Sequence, residues 1–179
     1  MSTTADQPQR KLLLADANIF IDLVQAGGLG LIGDIVRFGI ASIYVPRTIY
    51  DEISSEVSEV DIASLGITIL PVTEGMARRV IAYPDERLSR PDRTLLLMAE
   101  DNGFGIWSND RRLRANCEEK SIPVYWEFQL LRELVTRGFM EKSTLVGLAR
   151  AVANINEFVK GVAETLESDR CVCCGRRGW

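Results

Sequence analysis

The regular alternation of short apolar runs with helical stretches constrains the fold of this chain more than any other feature. The pattern opens with Lys11-Leu12-Leu13-Leu14-Ala15-Asp16, a continuous apolar run ending in an acid. Continuous rather than alternating apolar residues predict a strand covered on both faces, as in a parallel sheet. A short helical stretch follows over Ile19 to Gln25, broken by Gly27-Gly28, and a second runs from Leu29 to Phe38 with Gly39 as its stop. Ser42-Ile43-Tyr44-Val45 reads as the next strand, and Pro46 suits the first turn of a helix over Arg47 to Val57. A helical patch over Val60 to Leu65 precedes a strand over Ile67 to Val72 and a short helix that Thr73-Glu74 opens and that ends near Ile81. Ser89-Arg90-Pro91-Asp92 has the form of a capping box ahead of the apolar run Leu95 to Ala99, with Gly103 as terminator. Phe104 to Trp107 is a strand, Ser108-Asn109-Asp110 opens a helix to about Lys120, and Pro123 to Trp126 is the last strand. Helices over Phe128 to Arg137 and, past Gly138, from Ser143 to about Leu166 close the pattern.

Strands and helices in this order predict an α/β fold, a central and mostly parallel sheet with helices on both faces. The 179 residues suit one domain over 11–166 that includes the C-terminal helices, with 167–179 as a Cys- and Arg-containing tail read as mobile. Hydrophobic residues at 46% and charged residues at 26% give a chain able to bury a core while staying soluble. No apolar run approaches the roughly 18 residues of a spanning helix. Met1 to Arg10 is polar, without the apolar stretch of a secretory signal, so no membrane and a cytoplasmic location are expected.

The chain has no histidine, which excludes Ser-His-Asp and Cys-His catalysis and His-ligated zinc. Its chemistry must run on carboxylates, hydroxyls, thiols, Lys and Arg, or a bound cofactor. Parallel α/β sheets bind ligands beyond the carboxyl ends of their strands, so the acids sort by whether they reach that edge. Asp16 closes the first strand, and Asp110 lies three residues past the strand ending at Trp107. Asp92 sits in the first turn of the helix feeding that strand, and Glu52 lies about one and a half turns into the helix after the second strand. Each acid also has a structural reading. Asp16 and Asp110 can cap helices, Asp92 can complete its capping box, and Glu52 with Glu56 can belong to a solvated face.

Convergence of all four has an electrostatic consequence. Two unit charges ~4 Å apart repel by about 4 kcal/mol at an effective dielectric near 20, so four carboxylates in one pocket require protonation or a cation. Oxygen donors without histidine favour Mg²⁺ or Mn²⁺ over zinc or copper. The net charge of -4 argues against a nucleic-acid partner only superficially. Taking four from the 25 acidic residues leaves 21, equal to the 21 basic ones. A hard-metal carboxylate cluster points to phosphodiester hydrolysis by water, hence a metal-dependent phosphoesterase or nuclease. A phosphoaspartyl enzyme built on Asp16 would want a second acid beside it or a placed lysine.

The same residues resemble a known family. Leu12 to Asp22, with Asp16-Ala17-Asn18, looks like the opening strand and D-x-N segment of PIN-domain proteins. Val45-Pro46 through Asp51-Glu52-Ile53 looks like the second motif, Leu88 to Asp92 with Leu95 to Ala99 the third, and Ser108 to Arg114 the fourth. The likeness spans Leu12 to Val124, with the motifs in family order. It implies a PIN-like three-layer α/β/α fold and a Mg²⁺- or Mn²⁺-dependent endoribonuclease. Many compact prokaryotic members are VapC-like toxins of type II toxin–antitoxin pairs, often dimeric, so a homodimer and an antitoxin partner are also implied. By position, Asp16, Glu52, Asp92 and Asp110 would be the acidic quartet that binds metal and catalyses, with Asn18 and Ser108 hydrogen-bonding to it. The alternative is a PIN-like module that binds RNA or protein without cutting.

Arg87, Arg90 and Arg93 flank Asp92, and Arg111, Arg112 and Arg114 follow Asp110; Arg111 and Arg112 are the candidate grips on an RNA backbone. Cys171-Val172-Cys173-Cys174-Gly175 holds half of a zinc knuckle, and Cys117 reads as a small buried side chain. Leu130, Leu131, Leu134, Val135, Leu145, Leu148, Val152, Ile155 and Val159 recur at helical spacing and are expected mostly in the core.

Overall fold

The apolar run at the start of the chain forms the central strand of the sheet. In this computed structural model, which describes residues 11–156 and 161–168, β1 (Lys11–Ala15) lies between β2 (Ala41–Pro46) and β4 (Gly105–Trp107). Leu13, Leu14 and Ala15 are buried, as expected of a strand covered on both faces. The outer strands are β3 (Thr68–Leu70) beside β2 and β5 (Val124–Tyr125) beside β4. Every pairing is parallel, and the order is β3-β2-β1-β4-β5. Register is set by Leu13 opposite Ile43 on one side and Gly105 on the other. A side chain at position 105 would be crowded: a Cβ there would lie 2.8 Å from Leu13 Cδ2 and 3.0 Å from the Pro123 carbonyl oxygen, so both neighbours would have to give.

The connections are helical. β1 leads to α1 (Ala17–Gln25) and α2 (Gly30–Arg37), and β2 leads to α3 (Arg47–Ile53) and α4 (Glu59–Ser64). From β3 the chain passes through α5 (Glu74–Ile81) and α6 (Arg90–Asn102) back across the sheet to β4, then through α7 (Arg111–Glu119) to β5. It ends in α8 (Glu127–Thr136), α9 (Lys142–Ile155) and α10 (Val162–Glu167). Parallel crossovers are right-handed, so reversing the direction of travel across the sheet puts the later helices on the opposite face. Accordingly α1 and α2 pack with α8 and α9, while α5, α6 and α7 pack together, giving a three-layer α/β/α arrangement. Among the described residues no single helix is long and apolar enough to cross a membrane.

Local chemistry explains most boundaries. Ser89 and Asp92 form the reciprocal capping box that starts α6, and Gly103 ends it in the left-handed conformation at φ 68°. Several expected limits differ. The helix read as running to Val57 stops at Ile53, where the Ser54 hydroxyl turns back to the Asp51 carbonyl. Pro46 is the last residue of β2 rather than a residue of the helix. The third and fifth strands are shorter than expected, and Trp126 already leads into α8.

The largest correction concerns the long C-terminal helix read from Ser143 to Leu166. Among the described residues it is divided into α9 and α10: Asn156 leaves helical geometry at φ -120° and ψ 107° and gives its side chain to a tertiary hydrogen bond, and α10 begins only after Gly161 at φ 84°. Leu130, Leu131, Leu134, Leu145, Leu148 and Val152 are buried as expected, whereas Ile155 is exposed. Cys117 is fully buried, and burial pushes its thiol up to about 12. Val159 and the Cys171, Cys173 and Cys174 tail lie outside the described residues.

Candidate active site at the carboxyl edge of the sheet

A sheet in the order 3-2-1-4-5 reverses its winding direction between β1 and β4, and the crevice beyond the carboxyl ends of those two strands is where such folds bind ligands. Asp16 leaves β1 there, and Ser108, Asn109 and Asp110 leave β4. The two segments are joined directly. The Asp16 backbone N–H donates to the Trp107 carbonyl at 3.0 Å, and the fully buried Ser108 hydroxyl donates to Asp16 Oδ2 at 2.6 Å. The same hydroxyl accepts from the Asp110 N–H at 3.0 Å. One small side chain therefore fixes two acids that are far apart in sequence.

Asp16 and Asp110 also do what their structural readings require. Asp16 Oδ1 accepts from the Ala17 N–H at 2.8 Å, and Asp110 Oδ1 accepts from the Leu113 N–H at 2.7 Å, each capping its helix. Asp92 Oδ2 accepts from the Ser89 N–H at 2.9 Å and from the Ser89 hydroxyl at 2.7 Å. Capping occupies one oxygen of Asp92 and one of Asp110; the second oxygen of each accepts no hydrogen bond among the described residues. Glu52, on α3, forms neither a hydrogen bond nor an ion pair among those residues.

The acids sense one another. Burial raises the pKa of Asp16 to about 6; the Ser108 hydrogen bond opposes this, and the negative charges of Asp92 and then Asp110 add to it. Glu52 is raised by desolvation first and by the charge of Asp92 second. The electrostatic chain thus runs from Asp110 to Asp16 to Asp92 to Glu52. Among the described residues, however, no three Asp, Glu, His or Cys side chains are gathered into a ready coordination sphere.

A cleft of about 310 Å³ opens beside Asp110, lined by Asn18, Asn109, Asp110, Arg111, Arg112 and Asn156. Asn18 faces this cleft, with no hydrogen bond to any of the four carboxylates among the described residues. Arg111 and Arg112 both line it and are exposed, and Arg112 also donates to the Arg87 carbonyl at 2.6 Å. The other arginines divide: Arg87 is held by both oxygens of Asp85, and Arg114 stacks 3.6 Å over the Trp126 ring. A wider hollow of about 570 Å³ between the α1–α2 turn and α9 is lined by small and apolar residues with Asp34 as its one acid, so the smaller cleft holds more of the charged groups.

No family model and no curated protein matches this chain. The site stands on its own geometry.

Four residues of the site are not singled out by the sequence reading. Asp22, Asn109 and Glu127 are buried together, and Asn156 joins them. Asp22 carried the clearest signal: it sits beside Leu23 and three residues after Ile19, on the apolar side of α1, where an acid has no solvent to face. Glu127 lies in the first turn of α8, a position that ordinarily suggests only a favourable helix-end charge.

Proposed function

We propose that this protein is a PIN-like, Mg²⁺- or Mn²⁺-dependent endoribonuclease. Asp16, Glu52, Asp92 and Asp110 hold the metal. The observation that carries the reading is the Ser108 hydroxyl tying Asp16 to the backbone N–H of Asp110 across the β1–β4 crevice, with the charge of Asp92 acting on Asp16 and, in turn, on Glu52. The donor set fits a hard divalent cation: oxygen atoms only, acids that repel one another, and a carboxylate on Glu52 with no competing hydrogen bond among the described residues. Such an ion, when bound, supplies Lewis acidity and a water of lowered pKa for attack on a phosphodiester.

The protein's own part is positional. Ser108 holds Asp16 and the start of α7 in one frame. Asp92 and Asp110 each offer an oxygen that capping leaves over. Glu52, on the exposed side of α3, is the acid with most freedom to swing toward the others. Arg111 and Arg112 at the lip of the cleft give an RNA backbone charge-assisted contacts beside the acids. By the same resemblance the protein is the toxin of a type II pair, acting as a homodimer in the cytoplasm and neutralised by an antitoxin.

Purified protein with Mn²⁺ should cleave single-stranded RNA, and Asp16→Asn should abolish cleavage while remaining folded by circular dichroism. Undiminished cleavage by that variant contradicts the proposal. A second reading, a module that binds RNA without cutting, is favoured by the capping duties of Asp16, Asp92 and Asp110. It predicts no change of melting temperature on adding Mn²⁺, whereas a metal-binding quartet predicts stabilisation that grows with concentration.

A further inference from the structure

Beneath the cleft lies a polar cluster that capping and the carboxylate quartet leave unexplained. Asn109, the residue between Ser108 and Asp110, turns its side chain inward. Its Nδ2 donates to Glu127 Oε2 at 2.7 Å and, more weakly, to Asp22 Oδ2 at 3.4 Å; its Oδ1 accepts from the Glu127 N–H at 3.2 Å. Asp22 Oδ2 also accepts from Asn156 Nδ2 at 2.8 Å. Asp22, Asn109 and Glu127 are 5%, 7% and 0% exposed, and the other oxygen of Glu127 is buried with no hydrogen bond among the described residues.

This arrangement is expensive to bury. Two acids share one amide, one acid oxygen is unmatched, and apolar side chains of similar volume would cost less. What the cluster gives in return is position. It links α1, the β4–α7 loop, α8 and the end of α9 at a single point. Its shorter contacts tie the loop that carries Asp110 to α8, and a longer one reaches Asp22 on α1, the helix that Asp16 caps. Ser108 joins the loop to Asp16 at the crevice, and Asn109 joins it to α8 and α1 from below. Attachments at two successive residues hold the loop both at the crevice and from its inner side, which restrains Asp110 relative to Asp16.

We infer that Glu127 and Asn109 are positioning residues for the acidic site: the Glu127 carboxyl holds the Asn109 amide, and that amide holds the Ser108–Asp110 loop where its carboxylate faces Asp16. The inference rests on the proposed metal-binding role of the quartet. Neither residue touches the metal or the RNA in this account, and both act through Ser108 and Asp110.

The test uses direct Mn²⁺ binding, followed by the electron paramagnetic resonance signal of free Mn²⁺, on the full chain and three variants. Glu127→Met fills the same volume without an acceptor for Asn109. Asn109→Ala removes the amide at the cleft wall, where water can enter. Glu127→Gln keeps an acceptor. Glu127→Met and Asn109→Ala should each weaken Mn²⁺ binding by about tenfold or more, the size of effect seen when groups that orient metal ligands are lost. Glu127→Gln should bind Mn²⁺ like the unmodified protein. A residue needed only for stability would lower the melting temperature in EDTA and leave the affinity of the folded fraction unchanged.

Unchanged affinity in both Glu127→Met and Asn109→Ala, or an equal loss in Glu127→Gln, overturns the positioning role while leaving the metal site intact. Should Glu127→Met not fold, Asn109→Ala decides alone. Failure of the unmodified chain to bind Mn²⁺ overturns the metal reading itself, and this inference with it.

Discussion

At the scale of single residues, two buried acids make stability depend on pH in separate windows. Asp16 rises from 3.8 to about 6 through burial and the neighbouring charges of Asp92 and Asp110, and Glu127 rises from 4.5 to about 8 through burial and the charge of Asp22. A carboxyl whose folded pKa exceeds its unfolded one binds its proton more tightly when folded. Stability is therefore fully present below the unfolded pKa and is lost as pH rises through the folded one. The metal-free protein should lose stability between about pH 4 and 6 through Asp16 and between about pH 5 and 8 through Glu127. Urea denaturation in EDTA across pH 4 to 8 checks this, with Asp16→Asn flattening the lower part and Glu127→Gln the upper. For Asp16 the shift corresponds to about 3 kcal/mol, set against about 1 kcal/mol for a hydrogen bond to Ala17 or Ser108 that the asparagine cannot keep. Asp16→Asn should thus be more stable than the unmodified protein at pH 8 without metal; a less stable variant there contradicts the electrostatic account.

At the scale of elements, the tightest fit is where β4 passes β1. Gly105→Ala would press a methyl group against Leu13 and the Pro123 carbonyl, and overpacking of this kind costs about 1–3 kcal/mol. Denaturant titration should show that loss; a neutral result means that the sheet has slack at its centre. The pattern of elements was legible in the sequence because its signals are local: Ser89 and Asp92 as a capping box, Gly39 and Gly103 as stops, and Leu13 to Ala15 as a buried strand. The break between α9 and α10 was not. Apolar residues keep helical spacing across it, while Asn156, where α9 ends, is bonded to Asp22, 134 residues earlier. Glu127 and Asn109 were hidden for the same reason, since their partners lie on other elements and nothing about an acid beside Phe128 or an amide beside Asp110 announces it. Asp16, Asp92 and Asp110 stand out as candidate site residues only jointly, because each also serves as a cap.

For the whole molecule, winding that reverses at β1 and β4 brings Asp16 and Asp110 to one crevice, with Arg111 and Arg112 lining the cleft beside Asp110. Under the proposed function, acids and bases balance once the quartet is set apart, so RNA affinity should come from the few lip contacts rather than from overall charge. In an Asp16→Asn background, replacing Arg111 and Arg112 together by alanine should weaken RNA binding and reduce the dependence of log K on log salt by up to about 1.4 for single strands. An unchanged slope would remove both arginines from the RNA path. The most direct test of the whole account is a crystal soaked in Mn²⁺ and measured for anomalous scattering. A strong anomalous peak bounded by Asp16, Glu52, Asp92 and Asp110 is expected. A map without such a peak at full Mn²⁺ exposure, or with one elsewhere in the molecule, would contradict it.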